Sequence, residues 1–97
     1  MSYATFVRFE IIMDEDTARA CSQPGRDAAE DVDAALRVPM IEAQLDAIPA
    51  DAIRAELREY GAWDDAELAD DAENRKRIVW IAACDIREAL AKMGSGK

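Results

Sequence analysis

The sequence predicts an α-rich α+β fold: a single small domain of about four or five helices with an N-terminal β-strand, all-α being the alternative. Three observations carry this. Residues 3–13 alternate apolar and polar types with a period of two. From Thr17 onward, stretches with helical apolar spacing are separated by Pro24-Gly25, Pro39, Pro49 and Gly61. Apolar residues make up 51% of the 97, too many for a disordered acidic tail and enough for one domain core. The domain is expected to span residues 1–93, with Gly94-Ser95-Gly96-Lys97 as a flexible tail.

In the first element, Tyr3, Thr5, Val7, Phe9, Ile11 and Met13 share one side, with Arg8 and Glu10 on the other. This is the pattern of a half-buried strand. No second segment alternates as well, so the strand needs a pairing partner from elsewhere: another copy, another protein or a short unrecognised strand. The competing reading is a helix from this segment to about Cys21.

Asp14-Glu15-Asp16 leads into a short helical stretch, Thr17–Gln23, broken by Pro24-Gly25. Asp27–Arg37 reads as a helix with Ala28, Ala29, Val32, Ala35 and Leu36 on its inner side. Pro39 can open the next helix as its first residue, and Ile41, Leu45 and Ile48 follow at i, i+4, i+7. Ile53, Leu57 and Tyr60 repeat that spacing over Ala50–Tyr60, and Gly61 stands where a left-handed glycine ends a helix.

Asp64 is a natural N-cap with Glu67 three residues on, a capping box flanked by a Trp63/Leu68 hydrophobic staple. A second cap at Asp70 or Asp71 opens a last helix of about 22 residues, running to Met93 and closed by Gly94. Its segment Ile78–Cys84 is apolar nearly all round, as in a helix packed on more than one side. A buried core helix is the favoured reading. The other is a partner or dimer surface formed by Trp80, Ile81 and Cys84. The expected core is Val7, Phe9, Ile11, Val32, Leu36, Ile41, Leu45, Ile53, Leu57, Tyr60, Trp63, Leu68, Ile78, Ala82, Ile86 and Leu90.

Composition narrows the function. The formal net charge is -9, from 21 acidic and 12 basic residues, and there is no histidine. The charge repels nucleic acid at long range. The missing histidine removes the side chain that titrates near neutral pH and the commonest metal ligand. Cys21 and Cys84 form no disulfide framework, and without histidine no Cys–His nucleophile can form. Neither a phosphate-binding glycine loop nor a calcium loop is present. No apolar run approaches the ~20 residues of a membrane span, and no basic segment at the N-terminus suggests a secretory signal. A cytoplasmic, non-enzymatic protein with no metal and no cofactor is expected.

From Ala52 to Glu88 the chain reads AIRAELREYGAWDDAELADDAENRKRIVWIAACDIRE. This resembles a group of small, mostly uncharacterised proteins encoded in prophages and other mobile elements of proteobacteria. Their signature runs "ELxxYGAW", "DxxELAD" and "NxxRIxWIAAxDI". The matching positions are Glu56, Leu57, Tyr60–Asp64, Glu67–Asp70, Asn74, Arg77, Ile78, Trp80–Ala83, Asp85 and Ile86. Cys84 departs from the pattern, where a small residue such as glycine is usual. The resemblance implies a phage or mobile-element setting in the cytoplasm of a bacterial host. Small acidic proteins of that setting often resemble inhibitors of host defence, of which anti-CRISPR proteins are the best-known class.

Asp64, Asp65, Glu67, Asp70, Asp71 and Glu73 place six carboxylates in ten residues without a base. Acids collect at helix starts because free N–H groups and the helix dipole favour them, which is the favoured explanation here. The functional alternative is a face that imitates spaced phosphates and enters a Lys/Arg-lined groove built for DNA. Asp27, Glu30, Asp31 and Asp33 read as a solvated face, and Asp14–Asp16 as a strand-to-helix turn. Within the basic run Arg75-Lys76-Arg77, Arg75 or Lys76 is expected to pair with Asp71 or Glu73.

The partner-binding residues expected on this reading are Asp64, Asp65, Glu67, Asp70, Asp71 and Trp80. The partner is a host protein or ribonucleoprotein complex, such as a CRISPR surveillance complex, with no direct nucleic-acid or membrane contact and with a homodimer as a further candidate. The alternative function is a structural or regulatory interaction protein of the mobile element.

Overall fold

The computed structural model describes residues 3–6, 11–22 and 29–95. They form β1 (Tyr3–Phe6), β2 (Ile11–Asp14), α1 (Glu15–Ser22), α2 (Ala29–Leu36), α3 (Pro39–Asp46), α4 (Ala50–Tyr60), a 3-10 turn at Glu67–Ala69 and α5 (Asp71–Ser95). The α-rich expectation holds at that level. The strand does not stay single: β1 and β2 pair antiparallel, with Tyr3 opposite Asp14 and Phe6 opposite Ile11. Pairing inside the segment satisfies the backbone groups that a lone strand leaves open. Ile11 and Met13, two apart and so on one face, are fully buried. Val7 and Phe9 lie outside the described residues.

Asp14 ends β2 and caps α1. Its carboxylate accepts the Thr17 backbone N–H at 3.3 Å and the Thr17 hydroxyl, so this acidic turn has a local structural cause. Helix α1 therefore starts at Glu15, two residues before the expected Thr17. At its other end the Arg87 guanidinium of α5 donates to the Ser22 carbonyl at 2.8 Å, a cation on the electronegative end of the helix. Pro39 is the first residue of α3. Gly61 ends α4 with φ 85°, its N–H donating to the Leu57 carbonyl at 3.3 Å. A side chain there would have room, the nearest atom being 3.9 Å away, so the requirement for glycine lies in the positive φ.

Helix α5 is the axis of the fold and packs against α1, α2, α4 and β1. Ile78, Val79, Ile81, Ala82, Ala83 and Ile86 are all buried on it. The core-helix reading of Ile78–Cys84 holds, and Ile81, 6% exposed, is not available to a partner. Trp80 remains 37% exposed. Gly94 does not close the helix, which continues through Ser95. Among the other expected core residues, Val32, Ile41, Leu45, Ile53, Leu57 and Leu68 are buried. Leu36, Trp63 and Leu90 are half-buried against that core. Tyr60 is not in it: at 54% exposure it lies on the surface, because the last turn of α4 runs past the core edge. Among the described residues, no helix is long and apolar enough to cross a membrane.

Cys21 is buried in α1, and burial first, then the nearby Asp31, Asp14 and Cys84, pushes its thiol from 9.0 up to about 11. Burial also pushes the Cys84 thiol up. The thiolate is the reactive form, so both positions disfavour nucleophilic chemistry. The unfolded chain gives up the Cys21 proton first. Its contribution to stability is therefore complete below pH 9 and is lost as pH climbs towards about 11. Urea midpoints measured across this range should fall less steeply for Cys21→Ala than for the wild type. Ile78→Ala, emptying a fully buried site on α5, should cost about 2–5 kcal/mol in the same assay.

Candidate interaction surface

Arg54 of α4 meets Asp71 at the start of α5, and Tyr60 at the end of α4 meets Trp80 further along α5. The two helices thus run side by side in the same direction, and residues 61–70 must return along them. Most of the sequence-predicted site lies on this return segment.

Its path is held from both sides. The Asp64 carboxylate accepts the Glu67 N–H at 2.8 Å, and the Glu67 carboxylate accepts the Asp64 N–H at 3.1 Å. This reciprocal box opens a 3-10 turn where an α-helix was expected; a cap satisfies the first N–H groups of either kind of turn. Beneath it, Asn74 of α5 is 2% exposed. Its amide donates to the Leu68 carbonyl at 2.8 Å and its oxygen accepts from Arg77 at 2.8 Å. Arg77 also donates to the Glu67 carbonyl at 3.0 Å. Asn74 thereby takes up the Leu68 carbonyl, and Arg77 adds a second hydrogen bond to the Glu67 carbonyl, which also accepts the Asp70 N–H at 3.3 Å.

Each of the five expected acids has an internal partner. Asp64 and Glu67 form the box. Asp70 caps α5, accepting the Glu73 N–H at 3.2 Å. Asp65 pairs with Arg58 at 3.1 Å and Asp71 with Arg54 at 2.9 Å. The hydrogen bond and the charge of Asp71, with lesser help from Asp51, hold the Arg54 guanidinium more firmly protonated than usual. All five acids nevertheless stay exposed, the Asp65 side chain by 84%. In the basic run, Lys76 meets Glu73 and Asp33. Arg75 turns away from Asp71 to Asp46, at 2.8 Å.

At the Gly61 end the acids give way to an aromatic cluster. The Tyr60 and Trp63 rings stack at 5.7 Å and 26°, Trp80 meets Tyr60 edge-on at 6.3 Å and 80°, and the Arg77 guanidinium sits 5.4 Å from the Trp63 ring centre. Trp80 was expected at the site. Tyr60 reads as core because its spacing continues the apolar face of Ile53 and Leu57, Trp63 because it forms a staple with Leu68, and Arg77, named within the basic run, is not among the expected site residues. The usable signal was Gly61, which marks Tyr60 as a last-turn residue. Asp71 and Trp80, nine residues apart on α5, are separated by roughly 14 Å along the helix and by about half a turn around it. The two ends are linked through α4 and the return segment, where Asp65 and Asp71 pair with Arg58 and Arg54 and Tyr60 meets both Trp63 and Trp80, giving an acidic strip with an aromatic end.

Among the described residues, no group of three or more Cys, Asp and Glu side chains is placed to hold a metal ion. The structure defines an α-rich protein with an exposed acidic and aromatic strip. No family model, curated protein or solved structure matches the chain.

The cap and the surface pair should separate in stability measurements. Asp64→Ala should lower the free energy of unfolding by about 1 kcal/mol, with Asp64→Asn retaining most of it. Asp65→Ala, which removes only an exposed pair, should stay within about 0.5 kcal/mol of wild type.

Proposed function

We propose that this chain is a non-enzymatic, phage-encoded inhibitor of a bacterial host defence complex, of the anti-CRISPR type, acting in the host cytoplasm. It binds by protein–protein contact to a basic surface that otherwise holds nucleic acid. One observation supports this most: residues 56–73 hold eight carboxylates and one arginine, and the five on the strip are held in place while exposed. Fixed carboxylates lose little freedom on meeting a partner. Exposed ion pairs such as Arg58–Asp65 contribute little to stability, so exchanging Arg58 for a partner's guanidinium costs little. A Lys/Arg-lined groove that pairs with DNA phosphates presents the same cations to such a face, and salt screens that attraction.

The second reading, a structural or regulatory interaction protein of the mobile element, draws on Val38 and Met40. These apolar residues are exposed at the α2–α3 corner, a patch of the kind that seats another copy or another protein.

The first reading is tested on a purified crRNA-guided surveillance complex. The chain should compete with target duplex DNA, and its affinity should fall by about tenfold or more between 50 and 200 mM salt. Asp65→Lys with Asp71→Lys should weaken binding at low salt. Salt-independent binding with a silent double variant would remove the electrostatic reading.

A further inference from the structure

We infer that the Tyr60–Trp63–Trp80 cluster is the anchor of this surface and that it takes an arginine side chain from a basic protein partner. The inference rests on the acidic strip facing a basic surface, and it adds which residues dominate the contact and what they recognise.

Tyr60 is 54% and Trp80 37% exposed, side by side where the strip ends. Buried tyrosine, tryptophan and arginine carry most of the energy of protein interfaces, usually inside a rim of polar groups. Here the aromatic groups are present, and Glu59, Asp64 and Asp65 adjoin them in sequence.

The charge selects the occupant. A second copy placed on the same patch would set one eight-carboxylate segment against another, as a two-fold interface requires, and like charges oppose that. A nucleic acid or an anionic lipid surface is repelled on the same ground. A cationic protein is attracted. Between its two cations, arginine fits better than lysine: the guanidinium is planar, weakly hydrated, stacks on aromatic faces and can bond a carboxylate through two N–H groups. The molecule already shows that pairing in Arg77 against Trp63.

The test uses the intact chain and two synthetic peptides of equal length and charge, one built on arginine and glycine, the other on lysine and glycine. Binding is followed by tryptophan fluorescence and amide shifts in low salt. The arginine peptide should bind more tightly, and Tyr60→Leu and Trp80→Leu should each weaken it by about two- to fivefold while leaving the lysine peptide nearly unchanged. Tyr60→Leu keeps an apolar side chain at an exposed helix end, so it tests the ring even if Trp80→Leu lowers stability.

Equal, salt-sensitive binding of both peptides with silent leucine variants would overturn the aromatic anchor and leave the acidic strip standing. Binding of neither peptide would overturn both. A dimer in sedimentation, or affinity for a single-stranded RNA, that Tyr60→Leu abolishes would assign the patch to another occupant and overturn the inference.

Discussion

A helix that is apolar on more than one side must be covered on more than one side, and α5 imposes that condition on the whole chain. Its buried residues, Ile78, Val79, Ile81, Ala82, Ala83 and Ile86, point in several directions around the helix, and each direction needs a neighbour. Helices α1, α2 and α4 and strand β1 supply them. Helices α1 to α3, eight residues each, are too short to persist alone in water, so their stability comes from packing on α5 and on one another. The burial of α5 and the folding of the short elements are thus expected to be coupled, as in a small cooperative domain.

The same condition produces the surface. With α4 and α5 running in the same direction, the chain must travel back between them over ten residues, too few for another covering helix and its turns. A left-handed Gly61, the Asp64–Glu67 box and the Asn74–Arg77 pair guide it instead. A return path lying over the helices has nothing outside it. Its acids are therefore exposed, and the residues at its turning point, Tyr60, Trp63 and Trp80, meet one another at the edge of the core. The exposed aromatic cluster is thus a consequence of the connection, built from residues whose spacing resembles that of core residues.

What was legible in the residues follows from how local each cause is. The caps at Asp64 and Asp70, the proline opening α3 and the glycine ending α4 act within four residues, and all were readable. The central role of α5 was readable because a helix apolar all round has few other solutions. The hairpin was hidden: Val7-Arg8-Phe9-Glu10, between β1 and β2, has no Gly, Pro, Asn or Asp to announce a turn, so two strands read as one. Tyr60 was misplaced because helical periodicity gives a direction around the helix but does not say where the core ends along it. Arg75 found Asp46 across 29 residues of sequence, a partner that no local spacing rule can supply.

The strip also shows why a structural cause for an acidic cluster does not exclude a binding role. An N-cap carboxylate uses one of its oxygens on a backbone N–H, as in Glu67 N–H to Asp64 Oδ1 and Glu73 N–H to Asp70 Oδ1. A carboxylate has about four acceptor sites, and Asp64 and Asp70 stay exposed. Capping holds the group in one place, and a fixed charge recognises a partner with less loss of freedom than a mobile one. What separates a merely capped helix start from a recognition surface is what lies beside it. Beside Asp70 lie a 3-10 turn and the Asp71–Arg54 pair, whereas beside Asp64 and Asp65 stands an aromatic cluster in which Tyr60 and Trp80 are exposed. An acid gains in specificity when an apolar contact must be matched at the same time. The Gly61 end of the strip is therefore where selective recognition should concentrate, with the acids towards Asp71 contributing attraction at a distance.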